Sequence, residues 1–163
     1  MSDATFRPID YARDVDALNS FLSERDRMRL AHCEAAVRDN DCFIIVADDD
    51  GQVSGWVVVH TNFRRDQDWE PDPDSERFQQ GENAYVENIE VTARKRSTGI
   101  GRQLMEAAQD EARIRGKKFL WLHTSENNAM AHKVFEREGW KHETTVYPPW
   151  KPGSRTRIYK KEL

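Results

Sequence analysis

Arg96-Ser97-Thr98-Gly99-Ile100-Gly101 stands between a β-like run, Ala84 to Thr92, and an amphipathic helical pattern, Ile100 to Arg115. A strand that feeds a glycine-bearing turn and then a helix can hold a phosphate. The turn's N–H groups converge on the anion, and the helix N-terminus adds partial positive charge. Gly99 and Gly101 remove Cβ atoms where phosphate oxygens would approach the main chain. Arg94, Lys95, Arg96 and Arg102 surround the same turn with positive charge. No Gly-Lys-Ser/Thr follows as in a P-loop, and the three glycines of the dinucleotide fingerprint are missing. Alone, the stretch fits a glycine turn before a surface helix equally well.

The helix after the turn has a clear buried stripe: Ile100, Leu104, Ala108 and Ala112, with Met105 beside it. Its wet side carries Gln103, Glu106, Asp110 and Arg113. Gly116 closes it, and Phe119 to Leu122 reads as a buried strand. Strand, helix and strand in succession predict a parallel pair with a right-handed crossover. Asn127 to Glu138 reads as a further helix, with Ala131, Val134 and Phe135 inward and His132, Lys133, Glu136 and Arg137 outward. Gly139 caps it, Trp140 begins a strand, and a last strand runs from Thr156 to about Lys161.

The N-terminal half differs. Thr5 to Ile9 is a short strand, and Asp14 to Leu22 a helix with Val15, Leu18, Phe21 and Leu22 at helical spacing. Arg25 to Arg38 is a second helix with Met28, Leu30, Ala31, Ala35 and Val37 as its apolar members. Cys42 to Ala47 is an uninterrupted apolar strand. Asp48-Asp49-Asp50-Gly51 turns the chain into a strand from Gln52 to about His60, an antiparallel hairpin. Asn62 to Asn83 has two prolines and an acid at every second position: Asp66, Asp68, Glu70, Asp72, Asp74 and Glu76. It reads as a solvated insertion or as an acidic lip for a cationic amine, with Trp69 and Phe78 available to dock on substrate. In the strand that follows, the period-two rule puts Tyr85, Glu87, Ile89 and Val91 on one face. A carboxylate among apolar neighbours is the oddity there.

At 163 residues the chain fits one domain, 1–163, with a real core. Charged residues are 33% and hydrophobic ones 37%, and no apolar run reaches membrane-spanning length. The N-terminus lacks a signal-peptide pattern, so a cytoplasmic protein with no membrane partner is expected. A net charge of −4 argues against a general nucleic-acid role. Cys33 and Cys42 have no Cys/His ligand spacing beside them, so they read as buried thiols, with neither disulfide nor metal expected.

Two motifs in this order carry a family resemblance. Arg96-x-x-Gly99-x-Gly101 resembles the pyrophosphate loop of the GNAT superfamily, the Gcn5-related N-acetyltransferases. Asn128, Ala131, Phe135, Gly139 and Trp140 fall at the steps of its Asn-x-x-Ala-x-x-x-Tyr-x-x-x-Gly-Phe run. The element order is also similar over nearly the whole chain. The resemblance implies a mixed α/β fold: a largely antiparallel sheet of six to seven strands, about four helices, and splayed central strands. It implies acetyl-CoA as cosubstrate, with the pyrophosphate on the N–H groups of Arg96, Ser97, Thr98, Gly99, Ile100, Gly101 and Arg102. The pantetheine arm would pair with the backbone of Ile89, Glu90 and Val91 in the gap between strands. Asn128 would bond the arm, with Ala131 and Phe135 packed near it. Many relatives pair their C-terminal strands, so a homodimer is within the resemblance.

The implied reaction is direct attack of an amine on the thioester. It needs a neutral amine, an oxyanion donor and a proton for the leaving thiolate. Glu87 resembles the strand glutamate that several small-molecule members use as base or water relay. Burial beside Tyr85 and Ile89 would raise its pKa toward the working range. Its structural alternative is to bind a substrate ammonium or to pair with an arginine. A backbone N–H near Val91 would be the oxyanion donor. Phe135 departs from the family's tyrosine and has no proton to give. Tyr85, Tyr147 and His123 are the replacements by location, with a satisfied strand histidine the plainer reading of His123. The expected acceptor is a small cationic amine. The alternatives are a peptide or protein amine, a non-catalytic CoA-binding module, or a phosphate-binding domain outside the family.

Overall fold

The structure is a computed structural model, and it describes residues 4–64, 76–147 and 153–163. Trp69, the acids from Asp66 to Asp74, and Pro148 to Pro152 lie outside the described residues.

The chain runs β1 (Thr5–Pro8), α1 (Tyr11–Asn19), α2 (Glu24–Arg38), β2 (Cys42–Asp49), β3 (Gln52–His60), β4 (Asn83–Val91), α3 (Ile100–Ile114), β5 (Phe119–Ser125), α4 (Ala129–Arg137), β6 (Lys141–Val146) and β7 (Thr156–Glu162). Short 3₁₀ turns, Arg77–Gln79 and Ala93–Lys95, flank β4. The strands form one sheet in the order β1-β2-β3-β4-β5-β7-β6. Among the described residues only β4 and β5 run parallel, and α3 is the crossover between them. No helix among the described residues is long and apolar enough to cross a membrane.

The two faces of the sheet carry separate cores. On one, Phe43, Ile45, Val57, Val59, Ala84, Val86, Leu120 and Leu122 meet the predicted stripe of α3. On the other, Cys42, Ile44, Val46, Trp56 and Val58 meet Leu18, Leu22, Leu30 and Cys33 of the α1–α2 side. A strand buried on both faces reads as an unbroken apolar run, which is what β2 and β3 show. The β2–β3 turn needs two consecutive left-handed residues, and Asp50 (φ 53°) with Gly51 (φ 88°) supplies them.

Helix α2 departs from the sequence reading. Its inward face is Asp26, Arg29, Leu30, Cys33 and Ala36, while Met28 and Ala31 face water. The apolar residues did not mark the stripe because two charged residues belong to it. Similarly, in α4 His132 is buried and donates through Nε2 to the Ser125 carbonyl at 2.8 Å, while Val134 is exposed.

Gly55 of β3 sets how closely α3 lies on the sheet. A Cβ there would fall 2.8 Å from the Glu90 carbonyl oxygen and 3.1 Å from Leu104 Cδ1. Gly55→Ala should therefore cost about 1–3 kcal/mol in chemical denaturation. An unchanged midpoint would mean the helix can retreat freely.

Candidate active site

Strands β4 and β5 pair only from Asn83↔Phe119 to Val86↔Leu122. Beyond that, β4 continues along β3 to Val91, and β5 continues along β7 to Ser125. The expected splay is therefore present, and it opens at Glu87 on one strand and His123 on the other.

Glu87 is also a β-bulge. Val58 of β3 faces Asn88 and Val59 faces Val86, so Glu87 is an extra residue on β4. The bulge overturns the period-two assignment of one face to Tyr85, Glu87, Ile89 and Val91. Ile89 and Val91 pack on the α3 core with Ala84 and Val86. Glu87 turns to the opposite face, against α2. After the bulge, Asn88 lies on that second face too, where its Oδ1 accepts from Trp56 Nε1 at 2.8 Å.

Backbone direction in the gap follows from strand alternation. Thr92 N–H donates to Ser54 of β3 at 2.8 Å. Two residues back, the Glu90 main chain faces β3 as well, next to Gly55. The main chains of Ile89 and Val91 consequently face the gap. The Val91 carbonyl there accepts from Arg96 Nε at 3.2 Å.

The glycine turn follows directly. Ser97 has φ 63° and Gly99 has φ 89°, so the chain passes twice through the left-handed region around Thr98. Successive N–H groups in such a turn form an anion-holding concavity. The first bond of α3 runs from Gln103 N–H to the Gly99 carbonyl at 3.0 Å. The N–H groups before Gln103 have no helical acceptor. Gly99 caps the helix with no side chain to cover those donors. Gly101 has a different role: a Cβ would meet only Val91 Cγ2, at 3.8 Å, so the fold itself has room for a side chain. The surrounding cations are paired with acids: Lys95 with Asp49 at 2.7 Å, Arg96 with Glu90 at 3.2 Å, and Arg102 with Glu106 at 3.1 Å.

Glu87 pairs with an arginine, as the structural alternative had it, and also has partners that sequence reasoning missed. Its Oε1 accepts from Arg29 Nε at 2.9 Å, and its Oε2 contacts His60 Nε2. Cys33 Sγ lies 4.0 Å from Oε2, and Arg29 also bonds Asp26. Burial alone would raise the Glu87 pKa, as expected from sequence. The hydrogen bond and charge of His60, with the charge of Arg29, outweigh burial and hold it below the ordinary 4.5. The expected upward shift is thus corrected: Glu87 is an ionised carboxylate. Burial works against a charged His60, but the neighbouring Cys33 sulfur and the Glu87 carboxylate push its pKa up to about 10. Beside it, a hydrogen bond from Cys42 draws the Cys33 thiol down to about 6, while burial raises Cys42. Both cysteines are buried free thiols. These groups come from α2, β2, β3 and β4, and nothing in their linear spacing joins them. The one available signal was the helical step from Asp26 through Arg29 and Leu30 to Cys33, which turns Arg29 inward.

The remaining candidates divide. Tyr85 and His123 are in ring contact at 5.2 Å at the base of the fork. Phe78 is buried and stacks on Trp121 at 4.5 Å, so it completes the wall there. Tyr147 is exposed, with the Arg155 guanidinium over its ring. Asn128 caps α4, its Oδ1 accepting from Ala131 N–H at 3.2 Å. Phe135 packs between Trp140 and Tyr159, at 6.0 and 5.8 Å. Ala131 is half-buried on the same helix.

Known proteins are similar to this chain in sequence or in fold. Streptothricin acetyltransferase of Streptomyces lavendulae is 46% identical over 55 residues, which is 34% of this chain and 29% of that enzyme. The crystal structure of nourseothricin acetyltransferase superposes with a TM-score of 0.59 at 29% identity, covering 76% of this chain and 66% of that one. PaiA N-acetyltransferase from Thermoplasma acidophilum, solved in complex with coenzyme A, superposes over 100% of both chains with a TM-score of 0.70 at 14% identity. The family model of the acetyltransferase (GNAT) family matches residues 9–140, and with the splayed strands and the glycine turn in place, the chain belongs to that family.

Proposed function

We propose that this chain transfers an acetyl group from acetyl-CoA to a primary amine of a small cationic molecule. The observation that carries the reading is the run of backbone donors at residues 97–102, continuous with the unpaired edge of β4 at Ile89 and Val91. A ligand that fits both needs a doubly charged phosphate group and an amide-bearing arm, as acetyl-CoA has. In that pose Ser97 to Arg102 hold the pyrophosphate, and Arg96 leaves Glu90 and the Val91 carbonyl to reach it. Glu90 contributes its side chain to that exchange rather than its main chain. Ala131 and Phe135 flank the arm, and Asn128 fixes the start of α4 beside it.

The amine nitrogen attacks the thioester carbonyl, the new C–N bond forms, and the C–S bond breaks to release CoA thiolate. The N–H of Val91, in the gap, is placed to take the carbonyl's developing negative charge. Glu87, ionised at the fork, draws the substrate ammonium and, held below its ordinary pKa by His60 and Arg29, relays that proton through water rather than keeping it. A thiol of pKa about 8.5 leaves as the thiolate at little cost, so Phe135 need supply no proton. The preference for a cationic small molecule is supported by that carboxylate and by the local likeness to streptothricin acetyltransferase.

Three outcomes test this. Thiol release from acetyl-CoA should appear with polycationic small amines and be weak with peptides; the reverse preference would reassign the acceptor to a protein amine. Gly101→Glu should keep the melting temperature, because the fold has room there, yet weaken acetyl-CoA by about a hundredfold or more in calorimetry. Equal affinity would remove the phosphate assignment. Glu87→Gln should lower kcat by about a hundredfold with the KM for acetyl-CoA kept. Full activity in a folded variant would leave Glu87 only a strut of the fork.

A further inference from the structure

Cys33, Cys42 and His60 are three buried metal-ligand side chains from α2, β2 and β3, brought together only by folding. Their ligand atoms all lie within 4.8 Å of one another. Cys42 and His60 are direct cross-strand partners, and Cys33 reaches them from the helix above. His60 Nε2 is engaged by Glu87, whereas its Nδ1 is buried and has no hydrogen-bond partner among the described residues.

We propose that Cys33, Cys42 and His60 are a binding site for a zinc-like divalent cation, with Glu87 as the outer carboxylate that orients His60. Two thiolates and an imidazole are a donor set for zinc and discriminate against magnesium and calcium, which take oxygen ligands. Zinc bond lengths put tetrahedral ligand atoms about 3.5–3.8 Å apart. The observed separations, up to 4.8 Å, would have to close by about 1 Å around an ion. The orphaned Nδ1 gains a partner when an ion sits beside it. A histidine that binds metal with one nitrogen usually donates its other N–H to a carboxylate, and Glu87 is placed for that. Charge is also accounted for: two thiolates neutralise the dication, and Arg29 neutralises Glu87. The fourth donor is a water or Glu87 itself, whose Oε2 is 4.0 Å from Cys33 Sγ. The ion would join α2 to the β2–β3 hairpin directly behind the bulge, so it would stiffen the fork without touching acetyl-CoA.

Three measurements on the full chain test the site. Protein purified without chelator should carry about one zinc ion per chain by elemental analysis. Protein stripped under reducing, denaturing conditions and refolded with cobalt(II) should show a thiolate-to-cobalt charge-transfer band. That band should roughly halve in Cys42→Ser, and zinc should slow alkylation of both thiols in the unmutated chain. Refolded wild-type protein with native circular dichroism but no charge-transfer band, no zinc and equal alkylation with or without zinc would overturn the proposal. So would a Cys33–Cys42 disulfide that, once reduced, still gives no cobalt spectrum. None of these readouts depends on turnover, so failure here leaves the acetyltransferase reading intact.

Discussion

One extra residue on β4 governs the rest of the site. A strand between two neighbours must keep its register with both, and the bulge at Glu87 breaks that register against β3 at the same level where pairing with β5 stops. The added twist of a bulge turns the strand away from its parallel neighbour. It also inverts the side-chain alternation, so that a carboxylate points to the α2 face while the apolar residues before and after it stay on the α3 core. The open gap, the exposed main chain of Ile89 and Val91, and the buried position of Glu87 are consequences of the same irregularity.

Holding a carboxylate inside a fold requires compensation. Arg29 and His60 provide it, and Asp26 in turn holds Arg29. The network ties α2 and β3 to the bulge, so the carboxylate proposed to draw substrate and the geometry that opens the fork are maintained by the same contacts. Removing Arg29 or His60 would leave Glu87 short of a partner in a buried place. The glycine turn needs no such support, because its left-handed residues and the bare N-terminus of α3 are local properties of Ser97, Gly99 and the helix they start.

Much of this was readable in the sequence where the signal is local. The turn at Arg96 to Gly101, the α3 stripe, the β2–β3 hairpin and a largely antiparallel sheet of six to seven strands followed from spacing, glycine positions and family resemblance. The bulge was not read, because the period-two rule runs straight through Tyr85, Glu87, Ile89 and Val91; its trace in the sequence is the adjacent polar pair Glu87-Asn88 between Val86 and Ile89. The partners of Glu87 were also hidden: Arg29, His60, Cys33 and Cys42 come from separate elements, and only the tertiary fold brings them into contact. Burial was read correctly as a force raising the Glu87 pKa, but its sign was overruled by partners that the linear order did not reveal.

The central claim is that the gap beside β4 and the turn after it form one ligand surface. Amide hydrogen exchange with and without acetyl-CoA, resolved by residue, tests it most directly. The account predicts new protection at the N–H groups of Ile89 and Val91 and from Ser97 to Arg102. Glu90, already directed at β3, should not change. Protection absent from the β4 positions, or equal at Glu90 and its neighbours, would contradict the idea that the bulge opens this edge for the ligand.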